Sequence, residues 1–419
     1  MKRVLILANN CLSDTNANGR TLANMLAGYP KDCLAQFTLR ADDPNFECCE
    51  NYFFVSDSEA LQAFIKGKRV GRRLKKQPYC TKAEAGTERK HGRTSVTMLL
   101  RDLVWNSGRW KKGGFCSFVR AFAPEVILLQ AGDCAFLLRL ARKLSKEYQI
   151  PLVIYNSEGY YFKDYDYFRA NGFAHLCYPL FRRMFRREFR KTMQAASYAV
   201  YLCDELKAAY DAEFTCPSEV IYTATQLQPA DKLRAGPLSA VYLVNLGLCR
   251  HESLIELAQT LQKVEPGALL HIYGRAPNDS VEKALRSCGA IRLHGFVPYD
   301  EVRRVMAEAV LLVHAENFSE FYRKELIYAF STKIPDCLAS GSCFLLYAPS
   351  ELAVTKYLLK TESAYVATDK AQLEACLRLL QEQPEARGKY LERARAVVEE
   401  NHNAVKNAAR FCAILNGKL

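Results

Sequence analysis

The sequence predicts an α/β protein built from two doubly wound domains, and three observations carry that expectation. Short apolar runs rich in Val, Ile, Leu and Tyr recur along the chain, as buried parallel strands do. Segments with apolar residues at helical spacing separate them, such as Phe136, Leu137, Leu140 and Leu144, or Leu254, Ile255, Ala258 and Leu261. The chain has 419 residues, too many for one ordinary core.

The expected strands of the first half are residues 4–8, 126–129, 152–155, 198–203 and 220–222. Those of the second half are 241–246, 269–273, 310–313 and 343–347, with a weaker run near 364–366. The pattern pauses over residues 223–238, where Pro229, Gly236 and Pro237 sit among polar residues. The resulting division is a first domain over 1–225, a linker over 226–239, a second domain over 240–383 and a helical segment over 384–419. Pro384 suits the first turn of a helix running to about residue 415.

Composition narrows the class. At 49% apolar and 25% charged residues the chain is globular rather than disordered. Its net charge is +13, and the segment 66–112 alone carries fifteen Lys/Arg against three Asp/Glu. Such a basic insertion meets an anionic partner: phospholipid, a phosphorylated substrate or nucleic acid. The sixteen cysteines show no C-x-x-C spacing and mostly adjoin apolar segments, so they read as small hydrophobes in a reducing cytosol. The apolar run after Met1-Lys2-Arg3 is five residues, a core strand and too short for a signal peptide. No apolar run approaches the length of a membrane span.

Several motifs in the second half share one order and spacing. Val244-Asn245-Leu246-Gly247-Leu248-Cys249-Arg250 reads as strand, glycine loop and helix start. His271-Ile272-Tyr273-Gly274 is a strand ending in glycine, and Leu293-His294-Gly295-Phe296-Val297-Pro298 with Glu301 a turn before a helix. Ser331-Thr332-Lys333-Ile334 precedes Asp336 and Leu338-Ala339-Ser340-Gly341. Together they resemble the GT-B-fold retaining glycosyltransferases of family 4 (glycosyl transferases group 1), which include glycogen and sucrose synthases. The Ser331–Gly341 stretch resembles a bacterial branch that builds surface polysaccharides. The resemblance implies two Rossmann-like domains with parallel sheets facing a central cleft. It implies transfer of a sugar from a nucleotide sugar, UDP-linked by family frequency, to a saccharide or lipid-linked acceptor.

The chain departs from the family in two places. The family has two glutamates eight residues apart, whereas Asp336 takes the second place here and position 328 is Tyr. The family pairs Arg with Lys at the phosphates, whereas His251 follows Arg250. Glu316 and Lys333 are the residues expected to make good these losses.

The chemistry fixes the roles. Breaking a sugar–diphosphate bond leaves negative charge on the nucleotide, which cations and a helix N-terminus can stabilise without a metal or other cofactor. Arg250 and Lys333 are the candidates, with Ser331 or Thr332 capping the helix that carries Lys333 and Ile334. Asp336 is expected to accept from the ribose hydroxyls and Glu316 to lie near the donor sugar. Gly247 and Gly274 let backbone approach the donor. In the first domain, Asn18, Gly19 and Arg20 form a loop after the first strand, ahead of a helix over 21–26. Asn156 and Glu158 follow the strand 152–155 at its C-terminal end, where Glu158 is assigned to orient or deprotonate the acceptor hydroxyl. Retention at the anomeric carbon follows from the resemblance, because the leaving phosphate can take the proton.

The segment 179–193 adds a membrane expectation. Arg182, Arg183, Arg186, Arg187 and Arg190 fall on one helical face, and Phe181, Met184, Phe185 and Phe189 on another. With the aromatic run 160–168, this predicts an interfacial helix on anionic lipid. A cytoplasmic enzyme at the inner face of the plasma membrane follows. A nucleotide-sugar epimerase on the same fold needs several acid–base groups that the sequence does not assign. A nucleic-acid binder would use the basic insertion with Tyr79, Trp105 and Trp110, but no recognition motif accompanies them, and no nucleic-acid partner is expected.

Overall fold

The structure is a computed structural model that describes residues 1–76, 92–230, 233–243 and 246–418. The centre of the basic insertion, with Tyr79, lies outside the described residues, as do Val244 and Asn245 of the glycine-loop motif. The chain divides into two compact units, Met1–Tyr222 with Val405–Leu419, and Thr223–Ala404.

In chain order the first unit holds β1 (Val4–Asn10), α1 (Ala17–Met25), β2 (Leu34–Arg40), β3 (Asn51–Phe54), α2 (Asp57–Lys66) and β4 (Arg72–Arg73). There follow α3 (Ser95–Asn106), α4 (Phe115–Phe122), β5 (Val126–Ala131), α5 (Ala135–Tyr148) and β6 (Leu152–Asn156). The unit's central run ends with α6 (Phe173–Leu176), α7 (Tyr178–Ala195), β7 (Tyr198–Tyr201), α8 (Asp204–Asp211) and β8 (Ser218–Val220). The eight strands run β4-β3-β2-β1-β5-β6-β7-β8, parallel except for β4, which pairs antiparallel with β3. Residues 4–8 of β1 are all buried, as a strand covered on both faces must be. Helices start where the sequence supplies caps: Ser56 with Glu59, and Thr94 with Thr97, form reciprocal capping boxes on α2 and α3.

The second unit holds β9 (Ala240–Tyr242), α9 (Arg250–Val264), β10 (Leu270–Tyr273), α10 (Asp279–Arg286), β11 (Ile291–Gly295), α11 (Tyr299–Glu308) and β12 (Leu311–Ala315). Then come α12 (Glu320–Leu326), α13 (Ile334–Ala339), β13 (Cys343–Tyr347), α14 (Ala353–Thr361), β14 (Tyr365–Ala367), α15 (Lys370–Glu382) and α16 (Leu391–Asn401). Its all-parallel sheet runs β11-β10-β9-β12-β13-β14. Chain order along that sheet reverses between β9 and β12, and in the first sheet between β1 and β5. Open α/β sheets bind ligands beyond the strand ends at such points.

The C-terminal segment differs from the single helix expected over 384–415. A 3-10 turn at Pro384–Gly388 precedes α16, and α17 (Ala404–Asn416) follows a break at His402. His402 is fully buried, and its ring bonds the carbonyl of Thr223 at 2.7 Å and the Tyr357 hydroxyl at 2.8 Å. Those two contacts hold the chain out of helix there. Phe411, Cys412, Ile414 and Leu415 of α17 join the core of the first unit. The expected linker is also less loose than its composition implies. Thr225 N–H donates to the His402 carbonyl, and Ala230 N–H to that of Ala339.

Candidate active site

The reversal point of the second sheet gathers the strongest chemistry of that unit. Glu316 follows directly on β12, and its backbone N–H donates to the Tyr347 carbonyl of β13. Arg250 opens α9 after the loop that leaves β9. The guanidinium donates from Nε to Glu316 Oε2 at 2.7 Å and from Nη2 to Oε1 at 2.9 Å. His314 Nε2 also reaches Oε1, at 2.9 Å. Arg250 is 8% exposed and Glu316 3%. Burial pushes the Glu316 carboxyl up, but the Arg250 charge and the His314 hydrogen bond outweigh it and hold it down to about 2. The ion pair is therefore intact at any ordinary pH.

The loop that delivers Arg250 is bent and braced. Leu248 and Cys249 both take left-handed backbone, φ +60° and +52°, at a cost of order 1 kcal/mol each. Asn317 restrains that turn by donating to the Cys249 carbonyl at 2.9 Å and to Glu252 at 2.8 Å. Ser253 donates to the Glu316 carbonyl at 2.8 Å. The start of α9 and the end of β12 thus form one rigid corner, with Gly247 partly exposed at its lip. Gly274 stands just past β10 on the neighbouring strand.

Beyond β12 the chain turns into α13, where the sequence reading needs correction. Lys333 is the N-cap residue rather than a helical one, and no side chain caps the six-residue helix. The Ser331 hydroxyl instead accepts from Lys333 N–H at 3.4 Å, and Ile334 N–H donates to the Ser331 carbonyl. Ser331, Thr332 and Lys333 stay partly exposed, whereas Ile334 and Asp336 are buried. Asp336 accepts from Thr225 at 2.6 Å, and Lys333 Nζ stands 4.0 Å from its other oxygen.

In the first unit, Asn18, Gly19 and Arg20 lie within the first turns of α1 and not in a loop before it, because Asn16 caps the helix through Gly19 N–H at 2.6 Å. A Cβ on Gly19 would stand 2.4 Å from the Cys11 carbonyl, so the helix can approach the strand end only with glycine there. Gln130 at the end of β5 donates to the Asn18 carbonyl at 3.5 Å, which sets α1 over the β1–β5 reversal point. Glu158 is exposed just beyond β6, and Asn156 is 1% exposed. Among the described residues, neither polar atom of the Asn156 side chain has a hydrogen-bond partner.

The sequence reading missed a polar cluster at that same reversal point. Asp133, 4% exposed, pairs with Arg93 and accepts from Tyr167 at 3.0 Å. Arg101 reaches Asp57 at 2.7 Å, Cys134 at 2.8 Å and Asn9 at 3.3 Å. Its only signal in sequence was the position of Gly132-Asp133 just past a strand.

The interfacial-helix expectation fails on burial. Phe185 and Phe189 of α7 are each 2% exposed and pack with Phe181, Tyr161 and Tyr210. Arg182 donates to the Lys163 carbonyl, Arg186 lies over the Tyr161 ring at 4.5 Å, and Arg190 donates to the Tyr161 hydroxyl at 3.1 Å. Of the five named arginines, Arg183 and Arg187 are exposed away from this aromatic core, and Arg187 pairs with Glu188 at 3.2 Å. Trp105 and Trp110 are likewise 2% and 1% exposed, so neither can stack on a nucleic-acid base.

Residues 250–413 match a family model described as glycosyl transferase-like. Anabaena HepE in complex with UDP and glucose matches with a TM-score of 0.63 at 11% identity, each chain covered in full. WaaG, a glycosyltransferase involved in lipopolysaccharide biosynthesis, matches with a TM-score of 0.56 at 14% identity, over 99% of this chain and 100% of the other. Sucrose-phosphate synthase from Thermosynechococcus elongatus matches at 0.61 and 11% identity, over 100% and 99%. No curated protein sequence matches significantly. The solved structures show that the chain has the GT-B fold, and residues 250–413 carry the glycosyl transferase-like match. Among the described residues, no helix is long and apolar enough to cross a membrane.

Proposed function

We propose that the protein transfers a sugar from a UDP-sugar donor to a saccharide or lipid-linked acceptor, with retention, in bacterial surface glycan synthesis. The observation that supports the donor assignment is the braced corner of Arg250 and Glu316 at the β9–β12 reversal point. Similar structures hold UDP and UDP-glucose. Lys333 and Arg250 would offset the charge on the departing diphosphate, so the reading needs no metal or other cofactor. Asp336 would accept from ribose hydroxyls, and Gly247 and Gly274 would let backbone approach the donor.

The bond from the anomeric carbon to the phosphate oxygen breaks, and a bond to the acceptor oxygen forms on the same face. The acceptor proton passes to the departing phosphate oxygen, so no strong base is required; Glu158 orients the hydroxyl. The enzyme would work at the inner face of the plasma membrane. Thermal shift with UDP, GDP, ADP and CMP tests the donor. Stabilisation by UDP alone supports the reading, and a shift with another nucleotide only would replace it. NMR of the product tests retention, and an inverted anomeric centre would overturn it.

A further inference from the structure

The edge of the second sheet carries two histidines whose rings meet. Strand β11 is outermost and pairs with β10. Along the two strands Leu270, Ile272, Ile291 and Leu293 pack into the core. The period of two therefore places His271, Arg292 and His294 on the other face, where His271 is partly and His294 fully exposed.

The two rings are held in place. His271 Nδ1 and His294 Nε2 stand 2.9 Å apart. The Tyr273 ring lies flat against His294, with centroids 4.3 Å apart and planes 3° from parallel. That stack orients the His294 ring without using either of its nitrogens. Among the described residues, neither imidazole has a hydrogen-bond partner besides the other.

Both rings are kept neutral. Burial, then His294 and Arg292, lower the pKa of His271, and burial and Arg292 lower that of His294. Neutral imidazole is the form that binds a metal ion. Two imidazoles bound to one ion at about 2.0–2.1 Å and at a right angle have their nitrogens about 2.9 Å apart. Right-angled nitrogen ligands suit the square-planar ions Cu2+ and Ni2+, whereas a tetrahedral ion holds its ligands wider. No carboxylate bonds the pair, which argues against Mg2+ and Ca2+, the ions of all-oxygen sites. The hydrogen that now bridges the rings can move to the far nitrogen of the ring that donates it. Both facing lone pairs are then free, and no net proton is released.

We propose that His271 and His294 together chelate one divalent transition-metal ion, Cu2+ or Ni2+, with water at its remaining positions. The ion would tie the edge strand β11 to β10. It takes no part in sugar transfer, and the proposal does not depend on the donor reading.

The test is isothermal titration of the full chain with NiCl2. His175→Gln is the control, because His175 is an exposed histidine of the first unit that bonds Asp166 instead. Parent and control should bind Ni2+ alike, and Ni2+ should raise the thermal midpoint of both. His271→Gln and His294→Gln should each weaken binding at least about tenfold, since loss of an outer-shell partner alone costs that much. Their midpoints without Ni2+ should stay close to that of the parent, which separates lost chelation from lost folding. With Cu2+, electron paramagnetic resonance should show two equatorial nitrogens in the parent and fewer in either variant. Unchanged Ni2+ affinity in both variants would overturn the proposal. So would a loss confined to one of them, since a single imidazole would then account for the binding.

Discussion

Arg250 and Glu316 bind each other through two parallel hydrogen bonds although sixty-six residues separate them, because each leaves one of the two strands at which the second sheet reverses its order. Removing one partner strands the other charge in a buried site, which costs about 3–5 kcal/mol. Glu316→Gln and Arg250→Met should each lower the denaturant midpoint by a matching amount. The double variant should recover part of that loss, as coupled partners do. A double-mutant cycle on urea unfolding measures it, and additive losses would show the two residues to be energetically independent.

Lys333 has the opposite character. It is partly exposed and holds the N-cap position of a short helix without a side-chain capping bond, so folding depends on it little. Lys333→Ala should leave the unfolding midpoint within about 0.5 kcal/mol. A charge-assisted hydrogen bond to phosphate is worth about 1.5–3 kcal/mol, so UDP affinity should fall about 10- to 100-fold. Isothermal titration with UDP checks this, and an unchanged affinity would remove Lys333 from the donor site.

Much of this arrangement was legible in sequence because parallel strands announce themselves. The runs at 4–8, 126–129 and 343–347 are buried on both faces and hence uniformly apolar. Strands β2 and β3 escaped notice, since Gln36 and Thr38 break the apolar run of β2 with buried side chains bonded to the end of β1 and to Leu12 just after it. The donor residues were legible as types and in order. Their partnership was not, because Arg250 and Glu316 meet only through the sheet. Helix α7 misled for a simpler reason. An arginine face beside a phenylalanine face has one pattern whether the aromatic side meets lipid or a protein core, and only Tyr161 and Tyr210 decide between them.

That decision is itself testable. Phe189 packs on Tyr161 and Tyr210 with ring centroids 5.4 Å away in each case. Phe189→Ala should cost about 3–5 kcal/mol of stability, the range for emptying a buried aromatic site. Guanidinium unfolding at neutral pH measures it. A variant as stable as the parent would mean that this face of α7 is not packed in solution.

His402 sets the response to acid. Its ring is enclosed between the Thr223 carbonyl and the Tyr357 hydroxyl, and burial lowers its pKa from 6.5 to about 4, against the hydrogen bond to Thr223. Below pH 6.5 the unfolded chain takes up a proton that the folded chain refuses. Stability is therefore retained above pH 6.5 and falls as pH drops towards 4, by about 3 kcal/mol across that window at 1.36 kcal/mol per unit. Glu316 contributes in the same direction but lower, between its ordinary 4.5 and about 2, so His402 yields first on acidification. Urea midpoints of the parent chain and of His402→Gln, taken at intervals from pH 7.5 to 4.5, test the order. The glutamine variant should start lower, because it loses the fitted ring, and should decline less steeply with acid. Parallel profiles for the two proteins would show that another group governs acid sensitivity.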